Sequence, residues 1–228
     1  MAKSVLLTID PFTVHVTRKK IKNLYLRVLP QEGVVINAPM HTTDAEISRF
    51  VRSRADWIDQ QQKKQAQIVP RGYDEGDVVP YFGKKLTLRL IPCTGRTHIV
   101  LCGDALELTI RRDASEEARK KAVDAWYKAE LYEAAGAMLP AVERTVGKHA
   151  VELKVRDMTT RWGTCNTRNG LITLNLRLVE RPAECLRYVL THELCHLHEA
   201  GHGERFWKRM DEYFPDWKRV RKLLKQRT

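Results

Sequence analysis

The run His192-Glu193-Leu194-Cys195-His196 constrains this chain more than any other segment. Two histidines four residues apart share a face only if the segment is helical. Glu193 then sits about 100° round the helix from His192, beside the ligand face. From there its carboxylate can reach a water on a shared ion without occupying the ion, which is the mechanical content of the H-E-x-x-H pattern. A catalytic zinc takes three protein ligands and keeps a fourth position open. The fold must therefore build a helix here, stop it, and return one more ligand.

Three residues compete for that place. Pro182 suits the first turn of a helix that runs through His198, and Gly201 and Gly203 break it. His198 lies two residues past His196, so a continuing helix points it away. Glu199 is near the ligand face, but it belongs to the same rigid helix and would crowd the same side of the ion. His202 stands between the two glycines, where the backbone can turn back. The expected zinc ligands are His192, His196 and His202, with Glu193 as catalytic acid/base. One zincin subclass also spaces its third histidine this way, but with glycine where this chain has Glu199 and with a Met-turn. Here Met210 falls in a helical pattern, so that subclass is excluded. His15, His41, His98 and His149 read as surface or core histidines.

The first third is β-rich. Runs at 5–9, 12–16, 24–29 and 33–39 read as strands, the last two joined by a turn at Gln31-Glu32-Gly33. Thr42-Thr43-Asp44 caps one helix over 43–66, whose end merges into a polar stretch or linker from Asp59 to Gly76. Two β-like runs follow, Leu86 to Ile91 and His98 to Ile110. Ser115 starts a long helix to about Met138. Val151 to Thr159 and Leu171 to Asn175 read as strands with a turn at 166–170. Helices over 203–213 and 215–226 finish the chain, the last strongly basic. No internal repeat is read. The expected class is α+β, with a β-rich part over 1–76 and a catalytic part over 77–228, or one continuous domain.

Lys and Arg number 40 against 28 Asp and Glu, a net charge of +12. Such a surplus attracts polyanions, so DNA or RNA is a possible partner through the basic surface. The five cysteines are odd in number and lack C-x-x-C spacing, which reads as reduced core residues. No segment approaches the roughly 20 apolar residues of a membrane span, and no secretory signal is read, so a cytoplasmic location is expected.

Several motifs occur in a set order: Arg161-Trp162-Gly163-Thr164-Cys165, Gly170-Leu171-Ile172-Thr173-Leu174-Asn175, His192 to His196, Gly201-His202-Gly203 and Phe206-Trp207. Together with Leu24 to Val28, Val35-Ile36-Asn37-Ala38-Pro39 and Trp57-Ile58, this resembles the YgjP-like metallopeptidases, relatives of the SprT-like (Spartan-type) proteases. The likeness covers roughly residues 20–225. It implies a zincin-type catalytic unit, an active-site helix with a small antiparallel sheet. It implies zinc on the three histidines, Glu193 as acid/base, and a protein or peptide substrate. It also implies an edge strand beside the helix. That strand would be Leu171 to Asn175, with Leu171, Thr173 and Asn175 binding an extended peptide by strand addition. Spartan-type relatives cleave proteins crosslinked to DNA, so a DNA-linked protease is one alternative. A nucleic-acid-associated protein with a mainly structural metal is another. Trp162 and Trp207 read as packing residues, and Arg161 as either a cleft or a surface ion-pair residue.

Overall fold

The computed structural model describes residues 4–29, 32–66 and 72–225. Gln31 of the expected turn, 67–71 of the expected linker and 226 at the end of the expected last helix lie outside the described residues. The chain divides into two compact units, Met1–Pro70 and Arg71–Thr228. The second begins earlier than the expected boundary at 76, because 73–76 are tied into it. Arg119 Nε donates to the Tyr73 carbonyl at 2.6 Å. The Gly76 amide donates to Leu88 O at 2.9 Å, and Tyr73 is buried in that unit's core.

The first unit holds β1 (Ser4–Ile9), β2 (Phe12–Lys19), β3 (Tyr25–Leu29) and β4 (Gly33–Pro39) in the order β1-β2-β4-β3. Period-two burial shows in Phe12, Val14 and Val16, and in Val34, Ile36 and Ala38, as a sheet with one covered face requires. Ile47, Val51 and Ile58 complete this core. The one helix expected over 43–66 is two, α1 (Asp44–Arg52) and α2 (Ala55–Ala66). Thr43 and Glu46 cap α1 reciprocally. Ser53 ends it, and its hydroxyl donates to Phe50 O at 2.8 Å, a local bond that competes with helix continuation.

The second unit opens with β5 (Val78–Tyr81), β6 (Lys84–Pro92), β7 (His98–Cys102) and β8 (Ala105–Ile110), ordered β5-β6-β8-β7. The run expected over 98–110 is thus a hairpin, turned at Gly103 with φ +59°. In both sheets the outer pairs are antiparallel and the middle pair is parallel. The absence of repeat in the sequence therefore hides a repeat in topology.

The helix from Ser115, α3 (Glu116–Val146), runs past the expected end near 138 and through Pro140. Its buried residues Val123, Tyr127, Leu131, Ala135, Val142 and Val146 keep helical spacing, so core packing outweighs the hydrogen bond that proline removes. Gly147, left-handed at φ 70°, stops it. A three-stranded sheet follows, made of β9 (Glu152–Arg156), β10 (Gly163–Asn166) and β11 (Leu171–Asn175), in the order β10-β11-β9. It is mixed, because β11 and β9 run parallel. A short 3-10 helix at Leu176–Glu180 leads to α4 (Ala183–Cys195), α5 (Glu204–Tyr213) and α6 (Trp217–Lys225). α4 is covered by α3, α5, α6 and β10, and Leu186, Leu190 and Leu194 are fully buried along it. The class is α+β. Among the described residues no helix is long and apolar enough to cross a membrane.

Candidate metal centre

α4 ends one turn earlier than the sequence suggests, at Cys195. His196 is its C-cap; the amides of 197 and 198 make tighter i→i−3 bonds to Leu194 and Cys195 O, and the Glu199 amide shares the Cys195 carbonyl. The chain then reverses through exposed Ala200 and Gly201, and His202 returns to the end of α4 just before Gly203 caps α5. One ring nitrogen from each of His192, His196 and His202 falls within 4.8 Å of the others. The Nε2 atoms of His192 and His202 are 3.0 Å apart. Nitrogens around one tetrahedral zinc stand about 3.3 Å apart, given bonds of about 2.05 Å. The spacing therefore suits a small ion. Fully buried Phe206 forms the floor, its ring centroid 4.9, 4.7 and 4.8 Å from those of His192, His196 and His202.

The charge state suits an ion as well. Burial depresses His192 protonation to about 3, helped by His196, His202 and Arg221. Burial, His196 and Arg221 also lower His202. Neutral imidazoles keep the lone pairs that a metal needs. His196 Nδ1 donates to the Glu199 carbonyl at 3.1 Å, which orients the ring and turns Nε2 toward the other two imidazoles. His192 Nδ1 is buried without a hydrogen-bond partner among the described residues.

The rejected ligands have other work. His198 Nε2 donates to Val146 O at 2.8 Å, fastening the turn to the end of α3. The Glu199 carboxylate faces Arg209 at 3.9 Å, and only its backbone serves the site.

Glu193 lies against β10 and is 5% exposed. Burial pushes its carboxyl up to about 8, with Arg161 opposing. Its place depends on Gly163. A Cβ at 163 would stand 2.6 Å from Glu193 Oε1 and 2.8 Å from both Glu193 Cγ and Val189 Cγ1. No side chain fits there without moving the carboxylate.

The expected edge strand needs correction. β11 is the middle strand, paired on both sides, so Leu171, Thr173 and Asn175 have no free main-chain edge. Asn175 is buried, and its Nδ2 donates to Met158 O and Arg161 O, each at 2.7 Å. It shapes the loop that carries Arg161. The free edge beside α4 is β10. With α4 and α6 it bounds a cleft of about 730 Å³ that holds the triad and Glu193.

The model of the YgjP-like metallopeptidase domain matches residues 22–227. This chain belongs to the YgjP-like family. A metallopeptidase works with a metal ion, and His192, His196 and His202 form the one group among the described residues able to hold it. No curated protein matches the chain. Solved structures that resemble part of this YgjP-like protein include two metallopeptidase zymogens. One is the metallopeptidase zymogen abylysin of Pyrococcus abyssi, 22% identical, spanning 40% of this chain and 90% of that one, with a TM-score of 0.37. The other is the zymogen jannalysin of Methanocaldococcus jannaschii, 18% identical over 40% and 86%, with a TM-score of 0.36.

Sequence reasoning missed three features of this YgjP-like site. Gly163 stands out in the sequence only as part of a motif, though glycine inside a strand often marks close approach. Phe206 carries no periodic signal of its role under three rings. Arg221 is one of several cations of a basic helix in the sequence, yet it lines the cleft with Arg161. Trp207 does pack, lying flat on His202 (5.7 Å, 24°) and on Trp217 (4.4 Å, 21°), while also facing the cleft.

Proposed function

We propose that this protein is a zinc endopeptidase. The carrying observation is one helix that presents two imidazoles to a third beyond its end, with a buried carboxylate beside them. Three nitrogen ligands suit zinc, although imidazole also accepts copper, iron or nickel. Zinc held by His192, His196 and His202 would supply a water with its pKa lowered to about 7 and would polarise the scissile carbonyl. Glu193 takes the proton of the attacking water on its carboxylate and passes it to the leaving amine. Val189 and Gly163 crowd that carboxylate, which is buried at the cleft wall. The free edge of β10, Gly163–Asn166, pairs with an extended substrate through main-chain hydrogen bonds. Such pairing needs no chain terminus, which supports endopeptidase action. Five free cysteines support a reducing, cytoplasmic setting.

Metal analysis after zinc-replete expression is expected to find about one zinc per chain, lost in His192→Ala. Protein that stays zinc-free would sink the reading. Glu193→Gln should keep zinc while peptide cleavage falls by roughly 10³-fold or more.

A second reading is favoured by the basic face of α6. Lys222 and Lys225 extend the charge that Arg221 brings to the cleft. In that reading nucleic acid binds there, and the metal is structural or serves a DNA-linked protease. A DNA titration over a salt series tests it, since phosphate contacts give affinity that falls steeply with salt. Absence of binding at low salt removes it.

A further inference from the structure

The charge of the cleft is one-sided. Arg161, Arg221 and Lys225 line it, and Glu193, its one lining carboxylate, is buried. Elsewhere on the same helix and its neighbours, arginines do find acids. Arg219 reaches Glu184 at 2.5 Å and Asp216 at 2.6 Å, and Arg209 faces Glu199 at 3.9 Å. Among the described residues the three cleft cations have no such partner.

Arg221 is also held in place. Its guanidinium lies 5.1 Å above the Trp207 ring and 5.8 Å from that of Trp217. Trp207 in turn lies flat on His202. The cation is therefore one aromatic layer from a metal ligand, within reach of a residue next to a scissile bond. Stacking holds the faces of the guanidinium and leaves its N–H edges free for bidentate contact with a carboxylate. Its ordering is completed before a ligand arrives, so binding costs less.

We propose that Arg221, with Lys225 one turn further along α6, forms a subsite for an acidic side chain, so that the enzyme selects peptides carrying Asp or Glu near the cleaved bond. This rests on the peptidase reading above. A peptide is favoured over a phosphodiester chain because the cations share the cleft with the unpaired edge of β10. A peptide uses both features, whereas a nucleic acid uses only the charge.

The test uses C-terminally amidated, quenched fluorogenic peptides with Glu, Gln or Lys at each position flanking the cleaved bond. Zinc-loaded protein is expected to prefer Glu over Gln at one position by roughly tenfold in kcat/KM, the scale of one hydrogen bond to a charged group. Arg221→Gln should abolish that preference and Arg221→Glu should turn it toward Lys. Lys208→Glu, on exposed α5 surface outside the cleft, should leave it unchanged. The same peptides are titrated by anisotropy against Glu193→Gln, with Glu binding roughly tenfold tighter than Gln and the gap lost when Arg221→Glu is added. Cleavage of neutral and acidic peptides at equal rates, with equal binding, overturns the subsite and leaves the peptidase reading standing. Failure of all cleavage overturns the peptidase reading, and the binding arm then decides the subsite alone. A preference that appears only with a free C-terminal carboxylate also overturns it. So does a single-stranded oligonucleotide that binds more tightly than every acidic peptide and depends on Arg221.

Discussion

The two four-stranded sheets share one strand order and one pattern of directions, yet only the second leads to a candidate active site. Each is followed by a helix with a hydroxyl N-cap and early acids, Thr43-Asp44 in the first unit and Ser115-Glu116 in the second. The helices then diverge. α1 ends after 9 residues at Ser53, and the first unit closes its own small core. α3 continues for 31 residues, roughly 46 Å of rod at 1.5 Å per residue. That length lets one helix pack against β8, β9 and α4. The sheet is the common platform, and the helix after it decides whether more elements can be added. The site is built on what α3 supports.

The largest test of this contrast is removal of a ligand. His196→Ala should abolish zinc binding and cleavage and lower the melting temperature of the second unit alone, since a ligand that binds only the folded form stabilises it by mass action. Calorimetry with and without chelator checks this, and a shift in a transition assigned to the first unit would break the comparison.

Next come matched core truncations. Leu190→Ala on α4 and Ile36→Ala on β4 both empty fully buried positions, and each should cost about 2–5 kcal/mol. Only Leu190→Ala should weaken zinc binding. Equal loss of zinc in both variants, read by competition with a chromophoric chelator, would show that the units are not separate in energy.

Gly163→Ala should reduce kcat by roughly 10- to 100-fold through displacement of Glu193, with zinc content unchanged, as expected for a misplacement near 1 Å. Recovery of full activity would mean that β10 yields cheaply.

The metal-free second unit should also have a distinctive pH profile. Glu193 holds its proton up to about 8 when folded against an ordinary 4.5, so its contribution is full below 4.5 and lost as pH rises through 8. His192 is depressed to about 3 from 6.5, so its contribution is full above 6.5 and lost as pH falls toward 3. The two effects cancel between 4.5 and 6.5, where stability should be flat and maximal. Glu193→Gln should remove the decline above pH 6.5 in a melting series, by a few degrees.

The smallest effects are at the equivalent caps. Thr43→Ala and Ser115→Ala should each cost about 1 kcal/mol. Hydrogen exchange should place the first loss in α1 and the second in α3.

Some of this was legible in the sequence because its cause is local. The i, i+4 histidines, the glycines flanking His202 and the Ser115 cap are all set within one or two helical turns. The same locality explains the misses. Ser53 ends a helix through a side-chain bond that periodicity does not register, and Pro140 is tolerated only because buried residues continue on both sides of it. β11 has a strand pattern whether it is central or at an edge. Its position was fixed by β9, a parallel partner almost twenty residues earlier in the chain.

By itself, then, the sequence determined that His192 and His196 share one helix with Glu193 beside them, because spacing along a helix is rigid, and the glycines around His202 marked where the chain turns back. Tertiary structure alone decided that β10 is the open strand, that Gly163 leaves room for Glu193, that Phe206 underlies three imidazoles and that Arg221 faces the cleft. Each of those depends on which distant segment packs alongside, and pairwise packing across a fold leaves no period in the chain.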